Sequence, residues 1–312
     1  GLGQDLPLAE AEVVDRRGWI AAAAEGMAEL SGPLTDALVP ADYRGPALGS
    51  QLGIVLAYLS ARVLGQYDPV GGGASGGGAG GRLLLVAPNV IHVEREIRAD
   101  PADFRLWVCL HESTHRLQFT AVPWMVGHFR SLVEGYAAVA PDDAGEFLKR
   151  AAAALRGRGE DPEQSFLRRV QTADQQRVFD RLMALMTLLE GHADFVMDAV
   201  GPAVVPSVES IREAFTARRA KRRGPLDRLV RSLLGMDAKM AQYARGAAFV
   251  RAVVDRVGMT GFNAVFAAPE SLPTMAEIGA PEDWIARVHG GTAGAAERED
   301  DPVPPPAGDA AR

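Results

Sequence analysis

The pattern H-E-x-x-H, formed by His111, Glu112 and His115, constrains this chain more than any other feature of its sequence. Residues four positions apart on an α-helix project from the same face, so the two imidazoles would lie side by side. Two histidines placed in this way bind one Zn²⁺, and the glutamate lies beside the open position, where it takes a proton from water. The pattern therefore requires a helix, a third ligand and groups that orient the ligands.

The residues before this pattern predict a helix that begins at Asp100. Asp100 is a favourable N-cap, Pro101 suits the first helical position, and Asp103 favours the first turn. The stripe at helical spacing that follows consists of Phe104, Trp107, Val108, His111 and His115. Both histidines are therefore expected on the inward face. Cys109 falls on another face, and we interpret it as a packing residue.

A second long helix, predicted from about Thr172 to Ala199, supplies the candidate third ligand. Glu190 lies on its apolar stripe, where a carboxylate is costly unless it is paired or binds a metal. Asp194 follows four residues later on the same face. We expect Glu190 to bind zinc and Asp194 to accept the N–H of a ligand histidine, preferably His111. The alternative is that Glu190 and Asp194 form salt bridges with nearby arginines.

His192 is the competing third ligand. It lies about 200° around the helix from Glu190, so a regular helix cannot direct both at one metal, and we prefer Glu190. Gly191 between them costs about 1 kcal/mol relative to alanine in a helix interior. It therefore indicates the close approach of another element, which we expect to be the helix that carries His111 and His115.

Zinc hydrolases of this kind need a group that stabilises the oxyanion of the tetrahedral intermediate. Tyr243 and His192 are our candidates for this catalytic role. Tyr136 and His128 are weaker candidates. For each of them taken singly, a structural role is the competing interpretation.

The remaining segments predict a mainly α-helical chain with a small β-sheet. Residues 1–48 and 49–66 are typical of helices, residues 71–81 of a glycine-rich flexible loop, and residues 82–89 of a strand. Pro88 would confine the end of that strand to a sheet edge or a terminus. Such an edge could pair with an extended peptide, or simply be covered by loops.

Composition narrows the class of protein. The 312 residues carry 33 basic and 40 acidic side chains, a net charge of −7, which argues against a general nucleic-acid binder. The basic run 216–231 could still bind an acidic partner or nucleic acid, although no aromatic residues interleave with it. The single cysteine excludes an intrachain disulfide, and no signal peptide or membrane-spanning run is visible. We expect a cytoplasmic protein with one domain over residues 1–290 and a disordered tail over residues 291–312. Its oligomeric state stays open.

Taken together, these residues resemble the gluzincin class of zincin metallopeptidases, in which a ligand glutamate follows H-E-x-x-H on a later helix. The chain is more closely similar to an actinobacterial family of zincin-like proteins, a DUF2342-type domain described as hydrolases associated with coenzyme F420 biosynthesis. The resemblance covers about residues 20–290. The segments that carry it are Val63–Asp68, Leu83–Asn89, Asp103–Glu112, Gln118–Trp124, Leu188–Asp198, Val204–Ser207, Asp237–Tyr243 and Gly258–Phe262. It implies a zincin-like fold and zinc, and the coenzyme association names no reaction.

The sequence thus favours a zinc-dependent hydrolase of a peptide or related amide, with Glu112 as general base and a peptide or protein as substrate. The alternative is a catalytically silent binding or assembly protein with a structural zinc. A structural site is closed by four protein ligands, and His192 would be the candidate for the fourth.

Overall fold

A computed structural model of the chain describes residues 11–38, 53, 55–70, 81–138, 171–220 and 236–296. Its strands are β1 (Ala11–Val14), β2 (Gly65–Asp68) and β3 (Arg82–Val86). Its long helices are α1 (Arg16–Leu38), α2 (Ala87–Ile97), α3 (Pro101–Thr120), α4 (Met125–Ala138), α5 (Ala173–Val200), α6 (Val208–Ala220) and α7 (Met236–Phe262). Two 3₁₀ turns (Asn263–Phe266, Pro269–Ser271), the short helix α8 (Met275–Gly279) and α9 (Pro281–Ala296) follow, and residues 55–60 are also helical. The prediction of a mainly α-helical chain with a small sheet is confirmed.

The three strands form one sheet in the order β1-β3-β2. β3 pairs parallel to β1 and antiparallel to β2, with Tyr67 opposite Leu83. The expected strand therefore exists, but it ends at Val86, and Pro88 lies in the first turn of α2, where a missing N–H costs nothing. Of the two alternatives for Pro88, the sheet edge is wrong, because both edges of β3 are paired, and Pro88 instead lies just beyond the strand terminus. β1 was not predicted, since its residues were assigned to a helix.

The prediction of one helix over residues 49–66 is wrong at its C-terminal end. The described helical residues stop at 60, and β2 begins at Gly65. The amide of Asn89, on α2, donates hydrogen bonds to the carbonyls of Ser60 (2.6 Å) and Val63 (2.7 Å). The side chain of a distant helix thus supplies hydrogen bonds to these carbonyls. The helix can therefore end here and the chain can enter β2, although its apolar periodicity would continue a helix.

The helix α3 begins as predicted. The Asp100 side chain accepts hydrogen bonds from the N–H groups of Ala102 and Asp103, and Pro101 follows it at the first helical position. Asp103 has a further role, since its carboxylate accepts the N–H and hydroxyl of Ser207 at 2.8 and 2.6 Å. The start of α6 is thereby fixed to the start of α3.

The helix α5 also matches its predicted bounds to within a residue. Thr172 and Gln175 form a reciprocal capping box at its start, and Gly201 ends it with a φ of 64°. Along its length α5 contacts α3, α4, α7 and α8. Its buried side chains therefore belong to more than one cluster. Met197 packs with Phe104 and Trp107 of α3, while Leu188 packs with Phe249 and Trp284.

Some expectations fall on residues outside the described ranges. These are most of the glycine-rich segment 71–81, the basic run beyond Ala220, and the part of the tail after Ala296. α9 itself continues across residue 290 to Ala296. Within the described residues, no helix is long and apolar enough to cross a membrane.

Candidate metal centre

The two histidines of the motif face each other on α3. The Nε2 atoms of His111 and His115 are 3.2 Å apart, and their rings meet edge to face. Two nitrogens bound to one tetrahedral zinc, each at about 2.0–2.1 Å, are separated by about 3.3 Å. The helix therefore holds both imidazoles at a spacing that suits a shared metal ion.

Glu190 reaches the same point from α5. Its Oε2 lies 3.7 Å from the Nε2 of His111, and its Oε1 lies 3.8 Å from the Nε2 of His115. One ligand atom from each of the three residues falls within 4.8 Å of the others, which no other group of three such side chains achieves among the described residues. Two imidazoles and a carboxylate are the donor set of many zinc sites with an open position. The residues present therefore fit a divalent metal ion.

Asp198, further along α5, forms salt bridges with two arginines, and for Asp194 that alternative stays a prediction. The Asp198 carboxylate pairs with the guanidinium of Arg212 and, at 2.8 Å, with that of Arg251. Glu190 lies two turns earlier and faces the two imidazoles. The helix thus presents one carboxylate to arginines and another to histidines.

Gln118, which sequence reasoning did not single out, joins the two ligand-bearing helices. Its Oε1 lies 2.9 Å from the Nδ1 of His115, and its Nε2 donates to the carbonyl of Leu189 at 2.9 Å. The position three residues after His115, on the same face of α3, is the signal that could have indicated it.

His192 is not one of the converging ligands. Its Nδ1 lies 3.0 Å from the amide nitrogen of Gln118, and its ring stacks on Phe262 and contacts Phe266. Burial, together with the nearby His115, lowers the pKa of His192 to about 4. A neutral imidazole is therefore held behind His115 and packed against the end of α7.

Glu112 is buried beside the three candidate ligands, with 6 % of its surface exposed. Its carboxylate accepts the backbone N–H of Tyr67, and a Cβ on Gly65 would lie 2.6–2.8 Å from its side-chain atoms. Burial raises the pKa of Glu112 to about 8, the charge of Glu190 adds to this rise, and the Tyr67 N–H opposes it. Strand β2 thus lies directly against the proposed general base.

A cavity of about 170 Å³ borders His111 and Glu112. Its other lining residues are Arg62, Leu64, Trp107, Val108, Asp194 and Phe215. Asp194 therefore shares a cavity with His111, as its predicted role requires. A hydrogen bond between the Asp194 carboxylate and a ligand histidine remains a prediction.

The other candidates for oxyanion stabilisation take separate positions. Tyr243 is on α7, but its side chain lies outside the described residues. The Tyr136 hydroxyl accepts a hydrogen bond from Gln171, and the His128 ring packs edge to face on Trp124. Neither contact involves a metal-site residue.

Gly191 marks a close helix contact, as predicted, but the expectation that α3 makes this contact is wrong. A Cβ on Gly191 would lie 2.2 Å from the carbonyl carbon of Gly246 on α7. A Cβ on Gly246 would in turn lie 2.2 Å from the carbonyl oxygen of Thr187. The glycines let α5 and α7 approach backbone to backbone, whereas α3 meets the opposite face of α5 through Gln118 and Leu189.

A family of known proteins matches the chain over most of its length. The sequence model of the zincin-like metallopeptidases matches residues 2–285, nearly the whole chain. The chain therefore belongs to the zincin-like metallopeptidase family, and the predicted resemblance to zincin-like metallopeptidases is confirmed.

A solved structure is similar over most of its length. The chain is 36 % identical to a protein from Chloroflexus aurantiacus described as "a putative hydrolase with a novel fold". The match covers 91 % of this chain and 82 % of that one, with a TM-score of 0.65. A search of curated proteins finds no match.

Proposed function

We propose that this protein is a zinc-dependent hydrolase of peptides or related amides. The observation that carries the proposal is the convergence of His111, His115 and Glu190 within 4.8 Å, with Glu112 buried beside them. Membership of the zincin-like metallopeptidase family supports the same chemistry. The two imidazoles and the Glu190 carboxylate would hold the ion and leave a position open for water or substrate.

A zinc ion bound there would polarise the substrate carbonyl and lower the pKa of the water bound to the zinc to about 7. The side chain of Glu112 would accept the proton of the attacking water and deliver it to the leaving nitrogen. A carboxyl group whose pKa lies near neutrality can both accept the proton from water and donate it to the leaving nitrogen. A bound metal ion would neutralise the negative charge of Glu190, which is one of the two causes that raise the pKa of Glu112. The pKa of Glu112 would therefore fall from about 8.

The oxyanion of the intermediate needs a hydrogen-bond donor. His192 accepts the Gln118 amide at Nδ1, so its proton lies on Nε2, and a neutral imidazole with this proton can donate. His192 and, from α7, Tyr243 are therefore our proposed donors. Asp194 is proposed to orient His111 from within the shared cavity.

The cavity beside His111 and Glu112 also indicates what part of a substrate would enter. Leu64, Trp107 and Phe215 give it apolar walls, while Arg62 and Asp194 contribute polar groups. We propose that an apolar side chain of a peptide or protein substrate lies in this cavity, next to the bond that is cut.

Metal content and hydrolysis, measured on the same variants, test the proposal. Purified wild type should contain one zinc per chain by mass spectrometry, and His111→Ala and Glu190→Ala should contain little. Glu112→Gln is the matched control, because it should retain zinc and lose cleavage of a peptide library by at least about 100-fold. Wild-type protein that takes up no metal when zinc is supplied would contradict the proposal.

A catalytically silent protein with a structural zinc is the second candidate, and the position of β2 favours it. Gly65 and the Tyr67 N–H lie against Glu112 and limit its exposure. X-ray absorption spectroscopy of the zinc form separates the two functions. A water oxygen as the fourth zinc ligand favours the hydrolase. A fourth protein ligand, together with no peptide cleavage by wild-type protein, favours the structural role.

A further inference from the structure

Gln118 is almost fully buried, with 3 % of its surface exposed, and all its polar atoms have partners. Its Oε1 faces the Nδ1 of His115, while its Nε2 faces both the Leu189 carbonyl and the Nδ1 of His192. An amide nitrogen has two hydrogens, and here each has one acceptor. The opposite rotation of this amide would not satisfy the same three partner groups.

The Leu189 carbonyl fixes the orientation of the amide. A backbone carbonyl only accepts hydrogen bonds, so the atom of Gln118 that faces it must be the nitrogen. The oxygen then faces His115, and because this oxygen only accepts, His115 must carry its proton on Nδ1. In the neutral imidazole, the Nε2 of His115 then carries the lone pair, and this atom faces the Nε2 of His111 at 3.2 Å and the Oε1 of Glu190 at 3.8 Å.

The same side chain also sets the distance between the two ligand-bearing helices. Leu189 directly precedes Glu190, so the bond from Gln118 on α3 to the Leu189 carbonyl fixes α5 next to its ligand residue. A shift of either helix along its axis would break this bond and change the separation between Glu190 and the histidines.

We infer that Gln118 is the positioning residue of the metal centre, which presents the Nε2 lone pair of His115 and fixes Glu190 opposite it. The inference rests on the proposed function, since it requires that His115 and Glu190 bind the ion. Removal of a group that orients a ligand histidine weakens metal affinity about 10- to 100-fold in known sites. A residue needed only for packing would lower stability and leave the affinity unchanged.

Two variants of Gln118 separate orientation from packing. Gln118→Met fills the space and offers no acceptor to His115. Gln118→Glu keeps an oxygen acceptor for His115 but loses the amide donors to Leu189 and His192. The matched control is Gln175→Met, because Gln175 is also a buried glutamine, at the start of α5 and about 22 Å along the helix from Glu190.

The measurements are zinc affinity by chelator competition, thermal stability of the metal-free forms, and histidine NMR. We expect Gln118→Met to weaken zinc binding about 10- to 100-fold and Gln175→Met to change it by less than about threefold, although both are destabilised. Gln118→Glu should bind zinc more tightly than Gln118→Met even though it is no more stable. NMR of metal-free wild type labelled with ¹⁵N at its six histidines should show His115 protonated at Nδ1.

The outcomes distinguish this inference from the proposed function. The role of Gln118 would be overturned, and the metal site left intact, if Gln118→Met bound zinc as tightly as wild type. The same conclusion would follow if zinc affinity merely tracked thermal stability across the variants. A His115 protonated at Nε2 in wild type would overturn it even if no variant folds. Absence of zinc binding by wild type would overturn the metal site itself, and the role of Gln118 with it.

Discussion

At the scale of single residues, the contact between Gly65 and Glu112 controls the proposed general base. The side chain of Glu112 fills the space that a Cβ on Gly65 would occupy, so any larger residue there must displace one of the two. The observed position of the Glu112 side chain therefore requires a glycine at position 65 of β2.

Gly65→Ala should reduce hydrolysis by at least about tenfold and destabilise the fold by about 1–3 kcal/mol, because the added methyl overlaps Glu112. Zinc content should stay at the wild-type level, since His111, His115 and Glu190 are not in this contact. The measurement is kcat together with metal stoichiometry. Gly127→Ala is the control, because its Cβ would meet no atom within 4 Å. Unchanged turnover in Gly65→Ala would remove Glu112 from the reaction.

The candidate ligands could be predicted from the sequence because their positions depend on local periodicity. Spacing places His111 and His115 on one helical face, and Glu190 on the apolar stripe of another helix. The spacing of Gln118, three residues after His115, indicates its helical face but not its partners, and no spacing indicates Gly65. Their roles depend on which backbone groups of distant elements come next to them, and no period in the chain records those contacts.

At the scale of elements, α5 and α7 are joined by two glycines. Gly191 faces Gly246, and Gly246 faces Thr187, at distances where backbone touches backbone. The sequence indicated the close approach at Gly191 through the cost of glycine in a helix. It could not identify α7, because any helix with a small residue at the crossing would satisfy the same requirement.

Gly191→Ala should destabilise the protein by at least about 3 kcal/mol, since the new methyl overlaps the backbone of Gly246 and forces the helices apart. The same displacement moves Glu190, so zinc affinity should fall as well. Denaturant unfolding and chelator competition measure the two effects. Gly290→Ala, whose Cβ would meet nothing within 4 Å, should change neither. A fully stable Gly191→Ala would contradict the described crossing.

Near the C-terminal end, Glu277 links α8 to α9. Its carboxylate accepts the N–H of Thr274 at 2.8 Å and the Nε–H of Arg287 at 2.5 Å. Burial would raise the pKa of Glu277, but the hydrogen bonds from Arg287 and Thr274 outweigh burial, and the pKa lies below its usual value. The ionised form is therefore the one that stabilises the folded state.

Glu277→Gln should lower the free energy of unfolding by about 1–2 kcal/mol at pH 7, through loss of the charged cap and ion pair. A group whose pKa is lower in the folded state contributes stability above its unfolded pKa, and this contribution disappears as the pH falls through the folded value. The difference between variant and wild type should therefore shrink below about pH 4.5. A difference that stays constant into acid would show that the carboxylate charge is not responsible.

At the scale of the whole molecule, buried apolar clusters lie on more than one side of the candidate metal centre. Phe104, Trp107 and Met197 pack on one side, and Leu185 and Leu189 pack with Phe119 on another. Such packing maintains the helices through hydrophobic burial alone. The proposed ion would add stability to an already folded chain.

Chelation should lower the thermal midpoint of zinc-loaded wild type and leave its far-ultraviolet circular dichroism unchanged at 25 °C. Free zinc at 100 times its dissociation constant stabilises the folded state by about 2.7 kcal/mol, and the chelator removes this contribution. His111→Ala should show a midpoint that does not respond to zinc or chelator. Global loss of helix on chelation would instead indicate a structural zinc.

The bond from Gln118 to the Leu189 carbonyl joins residues 71 positions apart in the chain. This separation has a consequence for synthesis on the ribosome. A nascent chain that has emerged only as far as Thr120 carries His111 and His115 but no Glu190, and its Gln118 has neither Leu189 nor His192 to orient it. The proposed ligand set is therefore complete only after the ribosome has translated α5. Tight zinc binding would accordingly begin late in the maturation of this protein, after α5 has packed against α3.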